Sequence, residues 1–158
     1  MKRFLNSLFD VRKGEVLLTL LMFANYYLIL VTYYFLKPAR DSLFLVKVSP
    51  EMLPLVFIIT ALVTAPVVTI YSRASRAMKL NRLIIVTLAI IVVNLFVLRW
   101  LIQISSDWVY YLFYTWVSIY GALTTSQFWL LANAVYDAGQ AKRIFTLLGL
   151  GGIIGAFT

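Results

Sequence analysis

Cysteine and histidine are both absent from this sequence. Without cysteine there is no disulfide, no thiol nucleophile and no Cys-ligated metal. Without histidine the usual proton shuttle and the commonest metal ligand are missing. Acid is scarce too: six Asp and Glu stand against fourteen Lys and Arg. Most of the six lie near the ends of apolar runs, so no clustered carboxylate site is expected, and with it no metal, no cofactor and no acid-base enzyme. A cleavable leader is not expected. Lys2 and Arg3 are followed by only a short apolar patch, then Asp10, Arg12, Lys13 and Glu15, with no small-residue cleavage site.

What fills the chain instead is apolar. Hydrophobic residues make up 63% and charged residues 13%, against roughly 25% charged in soluble domains. The fold class expected is all-α transmembrane. The net charge of +8 does not point to nucleic acid, because most cations lie in short segments between apolar runs. Residues 1–15 read as a cytoplasmic N-terminal segment, with Met1 to Phe9 either an interfacial helix or a tail. A span of about 20 apolar residues crosses a bilayer as a helix. Such spans are expected over about 16–45, 52–71, 83–104 and 108–135, with a fifth starting at 146 and stopping short with the chain. Pro38 then lies inside the first helix and Pro66 inside the second, where neighbouring helices tolerate them. Val48-Ser49-Pro50-Glu51 is a turn, and Ser72 to Arg82 a basic loop. Thr60, Ala61, Thr64 and Ala65 form a small ridge suited to close helix packing, and Asn94 is expected to bond between helices.

A dense charge cluster, Lys37-Pro38-Ala39-Arg40-Asp41, sits hard against the first apolar run with no loop-like residues around it. At 3.6 residues per turn, Tyr26, Tyr33, Lys37 and Arg40 share a face with Asp41 beside it. Intramembrane cations are costly and mark solute or ion pathways. Long basic side chains near a span end also snorkel to the headgroups, and both readings stay open for Lys37. On the fourth helix Tyr114, Ser118, Gly121 and Thr125 share a small, polar stripe. Gln127 and Asn133 place two amides further along it. Asp137 to Arg143 is a polar connector. It is either a plain positive-inside anchor, through Lys142 and Arg143, or a gate in which Asp137 pairs with Arg143, with Gln140 between them. Gly149-Leu150-Gly151-Gly152 lacks the spacing and preceding strand of a dinucleotide loop. Its Gly151/Gly155 and Gly152/Ala156 pairs read as helix packing.

Orientation follows from the Lys and Arg count. Ten lie on the N-terminal side of the spans, including Arg73, Arg76, Lys79 and Arg82; Lys37, Arg40, Lys47 and Arg99 lie on the other. The N-terminus is therefore expected in the cytoplasm and the protein in the inner membrane. The chain stops mid-helix at Thr158. It reads as the N-terminal part of a carrier built from repeats, whose C-terminal half is not in this sequence.

Two stretches resemble a known family. Lys37-Pro38-Ala39-Arg40-Asp41-Ser42-Leu43-Phe44 is similar to the first-helix motif of the non-mitochondrial ATP/ADP translocases. Gln127-Phe128-Trp129-Leu130-Leu131-Ala132-Asn133, Gln140-Ala141-Lys142-Arg143 and Gly149-Leu150-Gly151-Gly152 are similar to its fourth-helix, connector and fifth-helix signature. The resemblance implies a major-facilitator-like bundle that exchanges nucleotides, or a related phosphorylated anion, by alternating access. It implies a role for Arg40 at the substrate's phosphates, with Asn133, Lys142 and Arg143 matching the later signature. Tyr33, Lys37, Asp41 and Tyr114 complete the expected substrate face. One departure stands out: the family's exchangers carry an acid inside the fourth helix, and Tyr114 to Ser126 has none. The competing reading is a non-transporting anchor or sensor module of a larger regulatory protein.

Overall fold

Helix follows helix through the whole computed structural model, which describes residues 15–104 and 106–157. The order is α1 (Val16–Lys47), a 3-10 turn (Pro50–Met52), α2 (Leu53–Ala77), α3 (Leu80–Leu101), a second 3-10 turn (Ile102–Ile104), α4 (Asp107–Val135) and α5 (Ala138–Phe157). No strand occurs among the described residues, as the all-α expectation requires. The interfacial-helix reading of Met1 to Phe9, the cations Lys2, Arg3, Arg12 and Lys13, and Ser105 lie outside the described residues.

Among the described residues three helices are long and apolar enough to cross a membrane: Val16–Lys47, Pro50–Ala77 counted with its leading turn, and Leu80–Ile104 with its trailing one. At 29 residues α4 has the length, but its aromatic, hydroxyl and amide side chains keep it out of that group. Between their polar ends the outward surfaces of α2 and α3 are largely apolar. Phe57, Leu62, Ile70, Ile85, Val93 and Phe96 are each more than half exposed. In water so large a surface would aggregate; against lipid tails it needs no partner. The chain is a multi-pass membrane protein.

The apolar spans and the helices differ at their ends. α1 runs unbroken through Pro38 to Lys47. α2 continues past Tyr71, where the apolar run ends, to Ala77, so the basic loop expected over Ser72 to Arg82 shrinks to Met78 and Lys79. A span ends where side chains turn polar. A helix ends where its backbone loses partners, and the Met78 amide still donates to the Ala74 carbonyl at 3.0 Å. Likewise α5 begins at Ala138, not near Thr146, and takes in most of the expected connector. Asp137 and Gln140 explain this start. The Gln140 side-chain oxygen accepts from the Asp137 amide at 3.1 Å, and the Asp137 carbonyl accepts from the Ala141 amide at 2.8 Å. That is the return half of a capping box, satisfying donors an N-terminal turn leaves orphaned.

Contacts divide the chain into two units: residues up to Phe35 together with those from Thr124 onward, and Leu36–Leu123. In the first, Met22 and Tyr26 of α1 pack with Phe128 and Ala132 of α4 and with Ile144 and Leu148 of α5. Tyr26 stacks on Phe128 at 4.2 Å, 13° from parallel. Gly151, Gly152 and Gly155 let α5 lie directly against α1. A Cβ at Gly155 would stand 2.7 Å from the Tyr27 carbonyl oxygen, and one at Gly152 would meet the Tyr26 ring. The packing expectation for these glycines is borne out. In the second unit, Phe44 and Val56 are fully buried with Tyr110 and Tyr114. Phe44 meets Tyr111 edge-on at 5.1 Å and Tyr114 at 5.3 Å. Thr60 of the small ridge on α2 bonds Thr115 of α4 at 3.3 Å.

Candidate functional site

Arg40 is the buried cation of the second unit, 8% exposed. The helical spacing of α1 puts it four residues before Phe44, so the stripe that plants Phe44 in the core carries the guanidinium inward as well. Nothing in the hydrocarbon solvates a charge there, so partners must. Arg40 Nε donates to Asp41 Oδ1 at 3.0 Å. Nη1 donates to Ser118 Oγ, and Ser118 Oγ donates in turn to its own helix at the Tyr114 carbonyl, 3.0 Å away. The Tyr114 ring lies under the guanidinium, 4.2 Å from Cζ to centroid. An arginine held by a carboxylate, a hydroxyl and an aromatic face uses the planar fork that lysine lacks.

Of the expected substrate face, Arg40, Asp41, Ser118 and Tyr114 come together. Asp41 is half-buried, its side chain 40% exposed; this α1 carboxylate is held by Arg40, which also reaches Ser118 of α4. Lys37 and Tyr33 are half-buried on α1. Asn133 is exposed, and its Nδ2 donates to the Trp129 carbonyl of its own helix at 2.8 Å. Asn94 does the same toward Ile90 O at 2.8 Å rather than bonding to another helix. An amide with no polar neighbour across an interface falls back on the carbonyl four residues earlier. Gln127 is the amide that is buried, 6% exposed, its Nε2 without a partner among the described residues.

The Asp137–Arg143 pairing does not form. The exposed Asp137 carboxylate stands at the head of α5, and Arg143 turns to Glu15 instead. Arg143 Nη2 lies 4.0 Å from Glu15 Oε2, and its Nε donates to the Gly139 carbonyl at 3.4 Å. Gln140 Nε2 donates to Glu15 Oε1 at 2.7 Å. Lys142 is exposed. The acid that ties down the start of α5 is thus Glu15, just before α1 and far away in sequence. No spacing rule points to it.

These features define an all-helical, multi-pass membrane protein with a buried, partnered arginine on its first helix. Residues 92–158 match the family described as TLC ATP/ADP transporter, which bears out the resemblance over that stretch. The stretch contains Tyr114, Asn133, Asp137, Gln140, Lys142 and Arg143; the first-helix motif with Lys37, Arg40 and Asp41 precedes it. The chain is 38% identical over 58 residues to ADP,ATP carrier protein 3 of Rickettsia conorii, covering 36% of this chain and 12% of the relative. It is 39% identical over 59 residues to ADP,ATP carrier protein 3 of Rickettsia prowazekii, 37% of this chain and again 12% of the relative. The matched part therefore spans about an eighth of the length of these curated relatives, 12% in each case. No solved structure matches the chain.

Proposed function

We propose that this chain is part of a membrane carrier for nucleotides of the ATP/ADP type, or for a related phosphorylated anion, working by alternating access. The observation that carries the reading is Arg40: a guanidinium buried within a span, resting on an aromatic ring, beside a hydroxyl and a half-exposed carboxylate. Arginine binds phosphate bidentately, so a phosphate entering beside Asp41 meets a donor already aimed. Lys37, half-buried one helical turn away, adds a second cation, and Tyr114 completes this face. The TLC match and the Rickettsia carriers support the same reading. Transport requires only different affinities in two states, so no bond-making step is assigned to any residue. Glu15, Gln140 and Arg143 hold the end of the molecule where α1 and α5 begin; with Asp137 and Lys142 exposed nearby, they form the gate-side cluster in this reading. The N-terminus lies in the cytoplasm and the inner membrane is the host.

The test is uptake of labelled ATP and ADP into cells expressing the full-length gene. The expected result is saturable uptake that Arg40→Ala reduces at least a hundredfold while membrane insertion is unchanged. Unchanged uptake by Arg40→Ala would remove Arg40 from the solute path.

A further inference from the structure

A second feature of Leu36–Leu123 takes no part in the Arg40 site. α2, α3 and α4 flank a cavity of about 360 Å³, whose walls include Val67 and Ala74 of α2, Met78 of the α2–α3 turn, Leu83 and Asn94 of α3, and Trp116 of α4. That volume lies within the range of small-ligand sites, roughly 300–1,000 Å³. The lining is overwhelmingly apolar. Ile70 and Ile90, also in the walls, are 66% and 56% exposed, so the mouth opens on the surface that faces lipid. One polar atom in the wall, Tyr71 Oη, is buried with no partner among the described residues.

The cavity starts at the end of the bundle where the cations are. Arg73, Arg76, Lys79 and Arg82 all lie between Ser72 and Leu83, a stretch without a single acid. All four are exposed. None of them forms an ion pair or side-chain hydrogen bond with another described residue. On α3 the wall runs from Leu83, next to Arg82, to Asn94, about 16 Å at ~1.5 Å per residue. That is half of the roughly 30 Å hydrocarbon core, the depth one acyl chain reaches from its own headgroup.

We propose that this cavity holds one acyl chain of an anionic phospholipid, with its headgroup phosphate at the Arg73, Arg76, Lys79 and Arg82 cluster. Charge complementarity selects the headgroup: a membrane surface carrying anionic lipid attracts clustered basic residues beside a span. Depth and apolarity select the chain. Tyr71, two residues before Arg73, supplies a hydroxyl at the level where the chain's ester oxygen can accept from it. The site is separate from Arg40, and the proposal stands whether or not the molecule carries nucleotides.

The full chain, purified in detergent, is incubated with phosphatidylglycerol or phosphatidylcholine and examined by native mass spectrometry. The expected result is one tightly retained phosphatidylglycerol per chain, at least tenfold favoured over phosphatidylcholine. Ala74→Phe, which fills the cavity, should lose most of it. Replacing the four cations by Gln should abolish the preference between the two lipids. Independently of how those variants fold, phosphatidylglycerol with brominated chains should quench fluorescence that Trp116→Phe removes. Equal retention of both lipids would overturn the proposal. So would unquenched Trp116, or release of the lipid by millimolar inorganic phosphate, which would place the cluster in a path for soluble anions.

Discussion

Glu15 joins two helix starts through side chains of different strength. Its Oε1 accepts from Gln140 at 2.7 Å, whereas Arg143 stands off at 4.0 Å. Hydrogen bonds to a charged group are worth about 1.5–3 kcal/mol, and partly exposed ion pairs about 0–1 kcal/mol. Gln140 also caps α5, a contribution of about 1 kcal/mol. Gln140→Ala should therefore destabilise the protein by about 3 kcal/mol and Arg143→Ala by less than about 1 kcal/mol, the reverse of what charge alone suggests. Denaturant titration of the detergent-solubilised protein checks the order; a larger loss for Arg143→Ala would show that the ion pair dominates. Sequence reading reached part of this. Gln140 and Arg143 stood out as polar residues between spans, and Asp137-x-x-Gln140 carries the spacing of a capping box. Glu15 could not be paired in advance, because nothing local specifies a contact 125 residues away. Arg40 was legible for the opposite reason: spacing along one helix fixes its face, and its face decides its burial.

At the scale of elements, the α1–α5 contact depends on the absence of side chains. Gly155 approaches a backbone oxygen, Tyr27 O, which cannot swing away as a ring can. Gly149 and Gly139, on the same helix, have nothing within 4 Å of an added Cβ. Gly155→Ala should cost about 1–3 kcal/mol through overpacking. Gly149→Ala should be neutral or stabilising by up to about 1 kcal/mol, since alanine is the better helix former. Thermal unfolding followed by circular dichroism separates the two, and equal melting points would mean the helices part easily at this point. The existence of each helix could be read from its apolar run, but several ends could not. Ser72 to Ala77 and Ala138 to Arg143 look like loops because they are polar, yet their backbones remain hydrogen-bonded. Hydropathy locates lipid; it does not locate where a helix stops.

For the whole molecule, the proposed orientation, taken from the positive-inside count, has the α2–α3 turn on the side of the N-terminus and the α1–α2 turn opposite. The natural absence of cysteine gives a clean background for testing this. Ser49→Cys, in the α1–α2 turn, should react with a membrane-impermeant maleimide added to intact cells. Asn81→Cys, exposed at the start of α3, should react only after the cells are opened. The reverse pattern would invert the assignment and put the gate-side cluster outside. Composition was enough to reveal the membrane-spanning class, since no water-soluble arrangement covers α2 and α3. Which side chains meet inside it was not, because Ser118, the hydroxyl partner of Arg40 on α4, lies 78 residues from it.

The Arg40–Asp41 pair bears on the energetics of an empty transport cycle. A buried cation stripped of its solute would be left unpaired, a loss of about 3–5 kcal/mol for a broken pair. Asp41 is adjacent in the chain and stays with Arg40 whether or not a phosphate is present. On the proposed reading it is a resident counter-ion, beside which an incoming phosphate would bind. In a carrier so equipped, reorientation without cargo is not blocked at this residue. Net accumulation and one-for-one exchange then differ by how firmly a single carboxylate holds a single guanidinium.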